Sequence, residues 1–383
     1  MAYQNVATPR FYVSWGDWYK ALGFNVARLH TISPYIQDKT ILPAGEPSWL
    51  MSQHSDLPTN GAKDITFLAG LNHNCASSPV PLHFRFDRRV YNTSLSPEDV
   101  AIDDTYEELD QLNQGEGETS QAGVNMPINY SGFSIVQNIT SLDLDRPIYP
   151  FERIRSGFTT ATAMSGTDFS SNFLVKMGCF VFGKHYDMPQ NPNLSLTKSI
   201  DYGETKEITT YNGSSISNTM ATGTPAWGNT GAWELGVPGT GASLTRSGRR
   251  KWDLTFSFLD ADDMWGSNQS ISNPIIETGV TTGYHPIITG GGTEWDGMYE
   301  ADDMHTNDGY SVGYQYNLLT DDNFFSQVWH KTLGGTLPFI FQQDKDNNHG
   351  DQFAICKFVD SSLKVTQSAF RVYDVSVSIE EVW

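Results

Sequence analysis

The sequence predicts an all-β chain, on three observations. Arg249–Asp260 (RRKWDLTFSFLD) sets Trp252, Leu254, Phe256 and Phe258 at every second position with Asp253, Thr255 and Ser257 between them, the period of a strand with one buried face. Tyr373, Val375, Val377 and Ile379 repeat that pattern near the end of the chain, with Ser376, Ser378 and Glu380 on the alternate face. Thirty-four glycines and eighteen prolines are spread through 383 residues instead of massed in a linker, which suits many short strands joined by turns.

From the N-terminus, Thr8–Trp15 (TPRFYVSW) alternates Phe11, Val13 and Trp15 behind a proline and predicts an opening or edge strand. A turn or short helix follows, whose Trp18, Tyr19 and Leu22 before Gly23 would pack on that strand, and Asn25–Ser33 adds a short apolar segment. Pro34, Pro43, Pro47 and Pro58 argue against central strands over 34–63, so an extended arm or long loop is expected there. Strand periodicity resumes at Ile65–Leu71 and Leu82–Phe86. Asp103–Gln114 (DDTYEELDQLNQ), with the turn-rich GEGETSQAG behind it, marks a boundary.

Between Ile128 and Met188, strands are expected at Phe133–Ile139, Phe158–Ala163 and Phe173–Phe182. The last (FLVKMGCFVF) is apolar throughout, as in a strand buried on both faces. Ile200–Thr210 and Gly213–Thr219 predict a hairpin, and 222–243 a glycine-rich loop around Trp227 and Trp233. Thr320–Gly335 (TDDNFFSQVWHKTLGG) opens on cap-type and acidic residues, carries Phe325, Val328, Trp329 and Thr332 at helical spacing and stops at Gly334–Gly335, which predicts one short helix with Phe325, Val328 and Trp329 packed on the strands. Leu337, Phe339 and Phe341 then alternate, 344–351 forms a polar turn, and Phe353–Val359 returns as the second arm of a hairpin.

The chain is 38% hydrophobic and 13% aromatic, ample for a core, and no stretch reaches membrane-spanning length. The opening MAYQNVATPRFYV has no basic region followed by an apolar one, so synthesis and first use in a cytoplasm are expected. Cys75, Cys179 and Cys356 are odd in number and far apart, which reads as buried free thiols rather than a disulfide framework or zinc site. A formal charge of −20 argues against wrapping nucleic acid by phosphate neutralisation, yet it suits a surface past which a polyanion moves without sticking.

Catalytic signatures are missing: there is no phosphate-binding G-x-x-x-x-G-K-[ST], no dinucleotide fingerprint, no G-x-S-x-G elbow and no H-E-x-x-H. Asp103, Asp104, Glu107 and Glu108 have the spacing of a solvated helix face, not of a glycosidase pair. Asp344–Gly350 resembles a calcium loop until positions six and twelve are read, where His349 and Ile355 stand in place of Gly and Glu, so a hairpin tip is expected. Residues 302–310 read as a long exposed loop without metal spacing. No cofactor, metal or enzymatic activity is expected. Tyr211, Trp227, Trp233 and Trp295 lie in polar or glycine-rich contexts and are the candidates for an aromatic platform that stacks on sugars or a partner.

The strand RRKWDLTFSFLDADDM, the helix DDNFFSQVWHKTLGG running into LPFIFQQD, and the closing YDVSVSIEEVW resemble the minor tail and distal tail (baseplate hub) proteins of tailed bacteriophages. The resemblance covers about the last third of the chain. It implies a tail-tube-like β-barrel or sandwich with one flanking α-helix, plus an inserted β-sandwich domain of the carbohydrate-binding kind. On that reading residues 1–99 supply strands and an arm to the ring barrel, 100–245 are the inserted sandwich, and 246–383 are the ring domain. The implied role is structural: a homo-oligomeric ring in the virion, assembled in the host cytoplasm, linking the tail tube to the tail tip and contacting other tail or baseplate proteins. A host-surface glycan is a further partner if the sandwich serves adsorption. DNA would pass through the lumen without specific binding, past Asp260, Asp262, Asp263, Glu380 and Glu381.

Overall fold

The computed structural model describes residues 5–33, 38–42, 50–58, 65–74, 82–90, 126–127, 132–136, 151–160, 173–201, 207–217, 249–264, 305–307, 310–312, 322–348 and 352–382. The first strands in chain order are β1 (Arg10–Val13), β2 (Asp38–Leu42), β3 (Leu50–Pro58), β4 (Phe67–His73), β5 (Leu82–Val90), β6 (Met126–Pro127) and β7 (Gly132–Val136). Next come β8 (Phe151–Thr160), β9 (Phe173–Met177), β10 (Cys179–Gly183), β11 (His185–Asp187), β12 (Thr197–Asp201), β13 (Glu207–Thr209) and β14 (Ser215–Ser217). The last are β15 (Arg249–Asp260), β16 (His305–Asn307), β17 (Tyr310–Val312), β18 (Phe339–Gln342), β19 (Phe353–Phe358), β20 (Lys364–Ala369) and β21 (Val372–Glu381). Two short helices join them, α1 (Trp15–Ala21) and α2 (Ala261–Met264), and a π-helix spans Phe325–His330. The protein is all-β in class.

An eight-stranded antiparallel sheet dominates, in the order β11-β1-β18-β19-β21-β15-β12, with β20 also paired to β21. Its end strands β11 and β12 do not pair with each other, so among the described residues the sheet is open and not a closed barrel. Alternation divides its side chains between two cores. Phe11, Val13, Phe339, Phe341, Cys356, Trp252, Leu254, Phe256, Val375, Val377 and Ile379 share one face with Val328 and Trp329 of the π-helical segment. Tyr12, Ile340, Phe353 and Ile355 face the other way, onto Phe67, Leu71 and Val181 of the three-stranded sheet β10-β4-β7. Phe11 is the hub of the first core, its ring 5.3–6.1 Å from those of Phe324, Phe339, Phe341 and Phe358.

Helix α1 is capped by Ser14, whose hydroxyl accepts from Asp17 N, and it buries Trp15, Trp18 and Tyr19 while Leu22 stays exposed. It lies on the Arg28–His30 turn so closely that a Cβ on Gly16 would sit 1.8 Å from His30 O. In the 320–335 segment the helical turns end at His330, with Lys331 as the C-cap, short of the expected stop; Gly334 and Gly335, with φ of 65° and 85°, close the turn that follows, and Gly335 packs on Phe358. The segment's geometry differs from the expected flanking helix. The turns over Phe325–His330 are of the wide π type, and Asn323, Ser326, Gln327, Lys331 and Thr332 are buried along with Phe324, Val328 and Trp329. A segment enclosed on nearly every side is part of the core, not an amphipathic cover.

Other expectations change in detail. The stretch 34–63 is not one irregular arm, because β2 and β3 form in its proline-free parts and Pro58 is the last residue of β3. Gly178 splits Phe173–Phe182 into β9 and β10, which pair with β2 and β4 respectively. The hairpin after Ile200 is β13–β14, while Ile200 itself belongs to β12 in the main sheet. Within 302–310, β16 begins a hairpin completed by β17. In β15 a bulge between Phe256 and Leu259 turns Phe258 outward, 74% exposed, and puts Leu259 in the core. Strand pairing also crosses residues 99 and 245: β10 pairs β4, β8 pairs β3 and β5, β11 pairs β1, and β12 pairs β15. The acidic run 103–114 and the 222–243 loop lie outside the described residues.

Candidate functional site

Among the described residues, two hydroxyl–imidazole pairs come nearest to a nucleophile beside a base. Ser55 Oγ lies 2.5 Å from His30 Nδ1, and Thr66 Oγ1 lies 2.7 Å from His185 Nδ1. Both are structural joints. Ser55 and His30 are buried, and Ser55 Oγ also accepts Ala27 N–H at 2.8 Å. Thr66 Oγ1 likewise accepts the backbone N–H of His185 at 2.8 Å. Burial, helped by neighbouring Arg10, lowers the His185 imidazole to about 4, so it stays neutral. Beside it Arg10 holds Asp187, with Nη2 2.8 Å from Oδ2. Burial alone would raise the Asp187 carboxyl, but the hydrogen bond from Arg10 keeps it below the usual range. Among the described residues, no group of three or more His, Cys, Asp and Glu is arranged to hold a metal ion.

Buried polar groups tie the sheet together. Gln343 Oε1 accepts from Trp252 Nε1 at 3.1 Å and from Lys198 Nζ at 3.0 Å, and Gln343 Nε2 donates to Gln352 at 2.8 Å. Lys331 is buried under α1, its Nζ 2.6 Å from Gln327 Oε1 and 5.0 Å from the centre of the Trp15 ring.

The surfaces left uncovered are the features that chemistry has to explain. In the β13–β14 hairpin Ile208 stands directly opposite Ile216, and both are exposed, at 67% and 60%. Glu207, Thr209 and Tyr211 are exposed as well. A two-stranded ribbon is marginal in water by itself, and this one presents apolar surface. Its tip is Tyr211–Gly213, where Gly213 has φ 78° and Thr210 and Ser214 exchange hydrogen bonds. At the far end of the main sheet Phe258 and Phe370 are exposed beside the Arg371–Asp260 ion pair. Asn212–Gly213 is the sequence signal for the hairpin tip; the bulge that exposes Phe258 has none.

Of the candidate platform, Tyr211 is fully exposed at the hairpin tip, while Trp227, Trp233 and Trp295 lie outside the described residues. Val328 and Trp329 are in the core, with Phe325 packed half-buried against it. The acidic candidates do not form one group. Asp260 is exposed and pairs with Arg371, Asp263 accepts the Asp260 N–H at 3.1 Å, and Glu380 pairs with Lys251. Asp262 falls in α2. Glu381 is buried in a bidentate pair with Arg250, so it cannot face a passage. In comparisons with known proteins, the chain matches no family model, no curated protein and no solved structure.

Proposed function

We propose that this chain is a structural protein of a tailed-phage virion, a ring-forming distal tail or baseplate component that links the tail tube to the tail tip. The observation that carries the reading is the β13–β14 hairpin, with its Ile208–Ile216 pair and Tyr211 exposed. Such a ribbon is the kind of element one subunit lays on the next. Among the described residues the end strands of the main sheet, β11 and β12, each pair with one strand, so the sheet ends in edges that a neighbouring subunit would extend. In a ring of this kind the net charge of −20 keeps a duplex moving through the lumen without counterion-releasing contacts, with Asp260, Asp262, Asp263 and Glu380 the acids proposed to line it. The test is light scattering across a concentration series with negative-stain imaging of the purified chain. Closed rings are expected, and Ile208→Asp with Ile216→Asp should weaken them; a monomer at every concentration overturns the reading.

A second reading, adsorption to a host glycan, is favoured by one observation, the fully exposed ring of Tyr211 at the hairpin tip. A glycan that raises the melting temperature of the wild type but not of Tyr211→Ala would support it.

A further inference from the structure

The tip of the β13–β14 hairpin joins an asparagine to a glycine in the open. Thr209 pairs with Ser215, Thr210 N donates to Ser214 O at 2.8 Å, and the loop between them is Tyr211-Asn212-Gly213. Gly213 N donates to Thr210 O at 2.9 Å and takes a φ of 78°, whereas neither Tyr211 nor Asn212 has a positive φ. This is a tight turn closed by a left-handed glycine bulge, so the turn itself calls for glycine directly after Asn212. All three loop residues are exposed, and a Cβ on Gly213 would meet nothing within 4 Å.

An asparagine side-chain amide is an electrophile within reach of the next residue's backbone nitrogen, and glycine leaves that approach uncrowded. A rigid fold protects such a pair by holding the nitrogen in hydrogen bonds. Here the Gly213 N–H has the contact to Thr210 O, in a hairpin of two three-residue strands that pairs with no third strand among the described residues. Opening so short a ribbon costs little. We propose that Asn212 is a site of spontaneous covalent modification, deamidating through a cyclic imide with Gly213. The Gly213 nitrogen loses its proton to solvent base and bonds to Asn212 Cγ, the Cγ–Nδ2 bond breaks, and ammonia leaves. Water then opens the five-membered imide. Addition at Cγ gives aspartate, and addition at the main-chain carbonyl gives isoaspartate, with the backbone rerouted through the side chain. Either product adds a carboxylate beside Tyr211. Isoaspartate also lengthens the loop by one methylene, which shifts Thr210 against Ser214 and breaks the hydrogen bonds they exchange.

The experiment incubates the full chain at neutral and mildly alkaline pH, folded and in urea, and follows the peptide containing residue 212 by mass spectrometry. Peptide-level assignment separates it from Asn60–Gly61, the other Asn–Gly pair of the chain. In the folded wild type the peptide should gain the mass of an amide-to-acid exchange, with isoaspartate in excess, and faster at the higher pH. Its rate should lie within about tenfold of the rate in urea, the mark of a tip that opens locally at little cost. Asn212→Gln keeps an amide but requires a larger ring, so it should accumulate no product at 212 over the same time. Conversion in urea with an intact Asn212 in the folded chain overturns the proposal, because the turn would then hold the nitrogen away from Cγ. Aspartate without isoaspartate overturns it too, since direct hydrolysis would have replaced the imide. The measurement reads the covalent state alone, so a monomeric chain with a converted Asn212 sinks the ring reading and supports this one.

Discussion

Arg250 grips Glu381 through two side-chain contacts, Nη2 to Oε1 at 2.9 Å and Nε to Oε2 at 3.1 Å, and its backbone N–H reaches the same carboxylate at 3.0 Å. The guanidinium also donates to Phe353 O at 2.6 Å, so one side chain joins β15, β19 and β21. Glu381 is buried and Arg250 partly so, with side chains 6% and 15% exposed. Removing one leaves the other's charge without compensation, which costs about 3–5 kcal/mol. Glu381→Gln should lower the unfolding free energy by that order in a urea titration, and a midpoint within error of wild type would show that the pair does not hold these strands.

Trp329 packs its ring 5.1 Å from Phe358 within the first core. Trp329→Ala should cost about 3–5 kcal/mol, the usual loss for a large buried aromatic. Phe325 is only partly buried, so Phe325→Ala should cost clearly less. Equal melting temperatures for the two variants would remove the π-helical segment from the core.

At the β15 bulge the two neighbouring residues should respond in opposite ways. Phe258 holds φ at 61° and is exposed, whereas Leu259 is fully buried. Phe258→Gly relieves a left-handed conformation and should be neutral or slightly stabilising, while Leu259→Ala should cost about 2–5 kcal/mol. A larger loss at 258 than at 259 would mean the strand alternates without a bulge.

That pair also marks the limit of what periodicity reveals. The class, β15, β21, the β18–β19 hairpin and a glycine turn at Gly334–Gly335 were legible because hydrophobic period and turn chemistry are local. A bulge is set by the partner strand, and one extra residue reverses which neighbour is buried. β20 (KVTQSA) was missed because nearly all of it is exposed and it carries little apolar pattern. The extent of each sheet was hidden for another reason: β4 finds β10 more than a hundred positions away, a pairing that no short window contains. Among the candidate site residues, the helix-packing set followed from spacing, whereas the exposure of Ile208, Ile216 and Phe258 depends on what does not pack there.

Acid should destabilise the fold. Burial lowers His73 to about 3, and burial with Arg10 lowers His185 to about 4, against 6.5 for an unperturbed imidazole. The unfolded chain therefore binds more protons than the folded one between these values, so stability falls as pH drops below about 6.5 and goes on falling towards pH 3. Asp187, held low by Arg10, adds a further loss as pH falls through its folded value. Melting temperatures at pH 7, 5.5 and 4 should decrease in that order, and His185→Gln should flatten the decline. A profile level down to pH 4 would contradict the burial of both imidazoles.

The hardest test concerns the segment 100–245. Were it an inserted unit, joining Ser94 to Thr245 would leave a folded ring domain. The pairings predict the reverse. The splice removes β10 from β4 and strips the cover from Phe67, Ala69 and Leu71; it also removes β9 from β2, β11 from β1 and β12 from β15. The exposed edges and apolar face should leave aggregate with no cooperative melt. Replacing only 207–217 by a short glycine–serine link removes a hairpin in which Glu207, Ile208, Thr209, Ser215 and Ile216 are exposed, so that chain should melt as the wild type does while losing assembly. A well-folded Ser94–Thr245 splice would restore the inserted-domain reading, because strands that can be removed without loss cannot be integral to the sheets they extend.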